Sequence, residues 1–215
     1  MTTGKSGNYH HGDLREALVT AALKLLESGG VEKLSLRALA RDAGVSQTAP
    51  YGHFRDKTAV LAAVAVRGFA RLRAMLDAGV ASRGAVEPEV RMQALALGYV
   101  RFALANPDLF RLMFSDSLCE AFEQDPDLAQ AGAASFEPIR EAVGERLSRC
   151  AEPAVTPAEG AAGTWALVHG LSNLLIDGKL SPESVGAPDI DTLVERTAGM
   201  VIRGLDAGHG GIMQR

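Results

Sequence analysis

Apolar side chains recur every third or fourth position along most of this chain, the period of helices that each bury one face. Leu14, Leu18, Ala21, Ala22, Leu25 and Leu26 form such a stripe over residues 13–27, and Gly29-Gly30 stop it. Leu36, Leu39, Ala40 and Ala43 follow at i, i+3, i+4 and i+7. A longer stripe through Leu61, Val64, Ala65, Gly68, Leu72, Met75 and Leu76 predicts a helix from 56 to about 78, on the order of 30 Å long and able to act as a lever. Residues 79–87 (GVASRGAVE) read as a linker. Helices are predicted at 88–105 and, after Asn106 as cap with Pro107 at the first position, over a short segment that is apolar nearly all round (Leu109, Phe110, Leu112, Met113, Phe114) and so deeply buried. Residues 115–127 are polar and acidic, and the acidic stretch 120–127 reads as a solvated loop rather than a metal site. A helix from about 129 to 149 carries Pro138, which predicts a kink or restart. Thr156-Pro157-Ala158-Glu159 is a capping box opening a long Gly/Ala-rich helix to about 177, and 190–205 is the last helix. The fold class is therefore all-α.

The stretch 34–57, LSLRALARDAGVSQTAPYGHFRDK, carries the chemistry. Ser35 suits an N-cap, Gly44 suits a turn needing positive φ, and Val45 fills the gap behind it. Ser46 is expected to cap a short second helix with Pro50 in its first turn, Phe54 as inward anchor and Asp56 as the next cap. Two helices around such a turn make a helix-turn-helix, which lays its second helix in the DNA major groove. Gln47 and Thr48 suit base edges, while Tyr51, His53 and Lys57 suit phosphates. Without nucleic acid, the same pattern describes a small helical corner.

Composition changes the picture in one respect. The chain has 215 residues, 47% hydrophobic and 22% charged, with a net charge of −4. That charge is divided. Residues 1–75 carry eleven Lys/Arg against six Asp/Glu, a balance of +5, and the remainder a balance of −9. A basic N-terminal part on an acidic body fits a DNA-binding head on a regulatory core. No apolar run has the length of a membrane span and no basic, apolar leader opens the chain, so a cytoplasmic protein with no membrane partner is expected. Cys119 and Cys150 have neither disulfide nor metal spacing. The arm of residues 1–11, with Lys5, Tyr9, His10 and His11, is placed to reach the minor groove or phosphates.

The runs Ser35-Leu-Arg-x-Leu-Ala40, Ala43-Gly44-Val45-Ser46 and Tyr51-x-His53-Phe54-x-Asp56-Lys57 resemble the DNA-binding domain of the tetracycline-repressor (TetR) family of bacterial transcriptional regulators. Asn106-Pro107-x-Leu109-Phe110-Arg111-Leu112-Met113-Phe114 and Trp165-x-x-x-His169-Gly170 resemble the body of one subgroup. The resemblance implies an N-terminal three-helix DNA-binding domain at 1–58 and a helical effector-binding and dimerisation domain at 59–215. It implies that Gln47, Thr48 and Ala49 face bases, and that Tyr51, His53 and Lys57 hold phosphates together with the cap region of Ser35 and Arg37; Ser46 belongs to the same contact set. Gly52 departs from the pattern, standing where the family often has Tyr or Arg, and loosens that helix by roughly 1 kcal/mol relative to Ala.

The expected function is that of a homodimeric repressor on a pseudo-palindromic double-stranded operator, released by a small apolar effector, with no cofactor, no metal and no enzymatic activity. Phe102, Phe110, Met113, Phe136, Trp165 and His169 are the candidate effector contacts. Each has a second reading: the phenylalanines and Met113 as ordinary core, Trp165 and His169 as packing with one satisfied hydrogen bond. Two other functions remain open. One is a protein-interaction module that has lost DNA binding. The other is an all-helical enzyme using His10, His11, His53 or His169, for which no triad, paired carboxylates or phosphate loop is present.

Overall fold

In the computed structural model, residues 11–84 and 87–206 are described. The arm expected to reach DNA, residues 1–10, and the tail from 207 lie outside them. The described residues form nine α-helices and no strand: α1 His11–Gly29, α2 Leu36–Asp42, α3 Lys57–Ser82, α4 Pro88–Ala105, α5 Pro107–Met113, α6 Cys119–Gln124, α7 Pro126–Ser148, α8 Pro157–Ile176 and α9 Ile190–Asp206. The chain packs as two compact units, Met1–Gly68 with Asp108–Ala129, and Phe69–Pro107 with Gln130–Arg215. The expected 58/59 division falls within the first unit, because α3 supplies residues to both and the α5–α6 segment packs with the first.

The first unit closes around Leu18, Ala22 and Leu26 of α1, Leu39 and Ala40 of α2, Phe54, and Val60, Leu61 and Val64 of α3, all at most 4% exposed. On α5, Leu109, Phe110, Leu112 and Met113 are buried, as their all-round apolarity predicts. Gly68 lets α5 approach α3: a β-carbon there would stand 2.6 Å from Met113 Sδ and 3.0 Å from Leu109 Cδ1. The acidic stretch 120–127, expected as a loop, instead lies in α6 and the start of α7, with a 3-10 turn, Asp116–Leu118, before it. Leu118 and Leu128, fully buried at its two ends, anchor it. Asp125 caps the start of α7 by accepting from the Asp127 and Leu128 amides at 3.0 and 3.2 Å. Its acidity thus serves helix capping as well as solvation.

The second unit is built on α4, which is buried without interruption from Ala94 to Val100 because α8 and α9 pack on it. The linker expected from residue 79 begins later, since α3 continues to Ser82. Gly79 is there for close packing: its β-carbon would lie 3.4 Å from the Ala94 carbonyl oxygen of α4. Ion pairs Arg91–Glu145 (3.1 Å) and Arg146–Glu89 (2.8 Å) tie α4 to α7. Pro138 does not break α7. It has no N–H to give the carbonyl of Ala134, four residues back, and Arg73 of α3 donates to that oxygen instead at 2.9 Å. Asn106, expected to cap α5, donates its amide to the Phe102 carbonyl at 3.0 Å and so closes α4. The capping box is as the sequence predicts, with Thr156 and Glu159 bonded reciprocally.

Candidate nucleic-acid interface

The helix-turn-helix is built from local hydrogen bonds. Ser35 caps α2 by accepting from the Ala38 amide at 3.1 Å. Gly44, at φ +67°, ends it. Val45 N–H reaches the Ala40 carbonyl at 3.0 Å and Gly44 N–H the Arg41 carbonyl at 3.3 Å, the paired bonds of a left-handed helix terminus. The expected second helix is a 3-10 turn, Ala49–Gly52, rather than an α-helix. Pro50 lacks the donor an α-turn would need, and Tyr51 N–H bonds three residues back to Thr48. Ser46 caps differently from expectation: its carbonyl accepts from Ala49 N–H at 3.0 Å, and its hydroxyl lies 3.2 Å from that of Thr48.

Burial sorts this segment. Pro50 and Phe54 are inside, and Arg15 of α1 stacks its guanidinium 5.3 Å from the Phe54 ring centre. Ser46, Gln47, Thr48 and Tyr51 are outside, with Tyr51 56% exposed. A tyrosine held in solvent by a buried proline on one side presents both a ring and a hydroxyl to whatever approaches. Ser35 and Arg37 are exposed on α2, while Ala49, His53 and Lys57 are half-buried. One of the three Lys57 donors is used internally, on the Val31 carbonyl at 2.8 Å, tying α3 to the α1–α2 connection. Asp56 caps α3 through the Ala59 amide at 2.8 Å. All nine residues expected at DNA therefore fall in the first unit.

Gly52 is exposed, is not in the left-handed region, and a β-carbon there would meet nothing within 4 Å. Gly52→Ala is expected to stabilise the protein by roughly 0.5–1 kcal/mol, read as a higher urea midpoint at unchanged slope. A lower midpoint would show that the turn needs glycine for a reason other than space.

The six candidate effector contacts divide. Phe110 and Met113 belong to the first unit, where the Phe110 and Phe114 rings pack at 5.1 Å. Phe102, Phe136, Trp165 and His169 belong to the second, and the last three adjoin: Phe136 meets Trp165 edge-on at 5.9 Å and Trp165 meets His169 at 5.5 Å. Tyr99 of α4 joins them, with its hydroxyl 3.1 Å from Trp165 Nε1 and 3.0 Å from His169 Nδ1. Tyr99 is absent from the expected set, although it carries the one hydroxyl in the otherwise apolar run 94–100. Burial pushes its pKa well above the usual phenol range and lowers that of His169.

Stability is therefore expected to fall as pH drops below about 6.5, where an unfolded histidine takes up a proton that native His169 does not. Carboxylates act lower. The Thr156 backbone amide holds Glu159, and the Thr192 amide holds Asp189, below their ordinary values, so their contributions disappear only under about pH 4.5. Melting temperatures between pH 7 and 5.5 should fall further for the native chain than for His169→Gln. Equal falls would refute a neutral His169. Among the described residues no group of three His, Cys, Asp or Glu is placed to hold a metal, and no helix is long and apolar enough to cross a membrane.

The fold and this exposed turn define a helix-turn-helix regulator. Residues 18–64 match the family described as bacterial regulatory proteins, tetR family, and residues 92–201 match the tetracyclin repressor-like C-terminal domain. The chain belongs to the TetR family of transcriptional regulators. A solved structure of a Rhodococcus sp. RHA1 protein of unknown function is 36% identical, at a TM-score of 0.76, over 94% of this chain and 100% of that one. The HTH-type transcriptional regulator YobS of Bacillus subtilis is 31% identical over 45% of this chain and 49% of its own length. The class C tetracycline repressor of Escherichia coli is 49% identical over 24% of this chain. The chain thus spans about half of YobS and, with 23%, about a quarter of that repressor.

Proposed function

We propose that this chain is a homodimeric transcriptional repressor that reads a pseudo-palindromic operator through Ser35, Arg37, Ser46–Ala49, Tyr51, His53 and Lys57, and that a small apolar effector releases it. The observation that carries the reading is the exposed run Ser46–Gln47–Thr48 with Tyr51, flanked by the buried Pro50 and Phe54. Two further features support it. On α8 and α9, Gly163, Ala166, Gly170, Leu174 and Met200 leave an exposed small and apolar face, 44% exposed at Leu174 and 59% at Met200, suited to a second copy. The aromatic cluster around Tyr99 is suited to an effector. That effector must favour the state with lower DNA affinity, or nothing shifts.

The test is a binding titration on the DNA upstream of the chain's own gene. Binding is expected at low salt, with log affinity falling against log salt by about 0.9 for each phosphate neutralised. No binding at low salt, or binding indifferent to salt, would overturn the repressor reading in favour of an interaction module.

A further inference from the structure

Trp165 and His169, one turn apart on α8, converge on a single atom, the hydroxyl oxygen of Tyr99 on α4. Indole has a donor and no acceptor, so Trp165 Nε1–H donates and Tyr99 accepts. The Tyr99 proton, in a side chain 2% exposed, needs an acceptor, and His169 Nδ1 supplies one when the imidazole is neutral with its proton on Nε2. Burial favours the uncharged form of both rings. The arrangement is a directed chain, Trp165 to Tyr99 to His169, with no charged member.

On α4, α7 and α8, Met92, Leu95, Ala96, Ile139, Thr164 and Val168 line a largely apolar cavity of about 10 Å³, which holds at most one water. Trp165 keeps 37% of its surface in solvent, so an outward turn of its ring would not cross the core. Such a turn would enlarge the apolar space beside Phe136 and withdraw the Trp165 indole from Tyr99. Met92 is an adaptable wall.

On the basis of the ligand-released reading above, we propose that Tyr99, Trp165 and His169 form the polar end of the effector site, and that the effector is an uncharged, mainly apolar alcohol or phenol. Its hydroxyl donates to Tyr99 in place of the Trp165 indole. Tyr99 goes on donating to His169, so towards the ligand it only accepts. A ketone of the same shape brings no donor. A carboxylate loses its water against three groups that carry no positive charge.

Trp165 is the single tryptophan of the chain, so its emission reports this site alone. Full-length protein is titrated with 2-decalol, 2-decalone and decahydro-2-naphthoate, which do not absorb where tryptophan is excited. The alcohol is expected to bind about tenfold or more tighter than the ketone and the carboxylate, the order of one hydrogen bond, and to shift the emission to the red. Tyr99→Phe should remove the preference. Trp165→Phe, followed by calorimetry, keeps the Tyr99 hydroxyl, deletes the competing donor and should tighten alcohol binding several-fold. Equal binding of ketone or carboxylate, no alcohol binding at millimolar concentration, or no tightening in Trp165→Phe overturns the proposal. Operator binding measured on the same samples separates the two readings. Its absence counts against the repressor. Its persistence without alcohol selectivity counts against this site alone.

Discussion

Replacing Gln47 and Tyr51 together by alanine is expected to weaken operator binding by about 10³–10⁶-fold while moving the melting temperature by only a degree or two. The first number follows from what is lost. A good base-edge pair discriminates by about 1–3 kcal/mol and a neutral phosphate hydrogen bond adds about 1, and a dimer loses each twice. The second follows from position. Both side chains are exposed, Tyr51 at 56%, and exposed substitutions away from caps and networks usually change stability by less than about 0.5 kcal/mol. Fluorescence anisotropy on a labelled operator and calorimetric melting give both quantities from one preparation.

The salt slope tests the division of labour. Neither Gln47 nor Tyr51 carries charge, so the variant should bind weakly with the slope of the native chain. Lys57→Ala behaves differently. It removes one phosphate neutralisation per protomer, lowering the slope by about 1 for each, and it also breaks the bond to the Val31 carbonyl, so it should melt earlier. An operator affinity within twofold of native for Gln47→Ala with Tyr51→Ala would sink the assignment of this turn as the reading element.

Where side-chain spacing alone decides, the sequence was a sufficient guide. The caps at Ser35, Asp56 and Thr156, the stop at Gly44 and the limits of α4 are local matters, and each is found where the residues predict it. Three features depended on partners distant in sequence. Pro138 reads as a kink or restart until Arg73 supplies a donor to the Ala134 carbonyl, 61 residues from it. Gly79 reads as linker until α4 is seen against it. The acidic run 120–127 reads as solvated because its flanking anchors, Leu118 and Leu128, are too few to make a periodic stripe. The same limit applies to the aromatic residues. Spacing pairs Trp165 with His169 on one helix, but their common partner Tyr99 lies 66 and 70 residues away. Nothing local distinguishes Phe110, which packs in the first unit, from Phe102, which packs in the second.

Phe102 decides how far the candidate effector contacts are framework. It is 1% exposed, two residues past the continuously buried run of α4, so Phe102→Ala should cost about 3–5 kcal/mol, the loss of a fully packed ring plus the cavity it leaves. Against a total stability of about 5–15 kcal/mol, that lowers the melting temperature by roughly 6–20 °C. Phe136→Ala is the paired control. Phe136 is half-buried, with its edge against Trp165, so its removal should cost about 1–2 kcal/mol and shift the Trp165 emission. If Phe102 is framework, Phe102→Leu, which keeps most of the volume, restores all but about 1–1.5 kcal/mol and leaves the response of DNA binding to effector unchanged. If it touches effector, Phe102→Leu keeps its fold and loses that response. Urea denaturation alongside operator binding distinguishes the two, because a packing defect and a lost contact move different measurements.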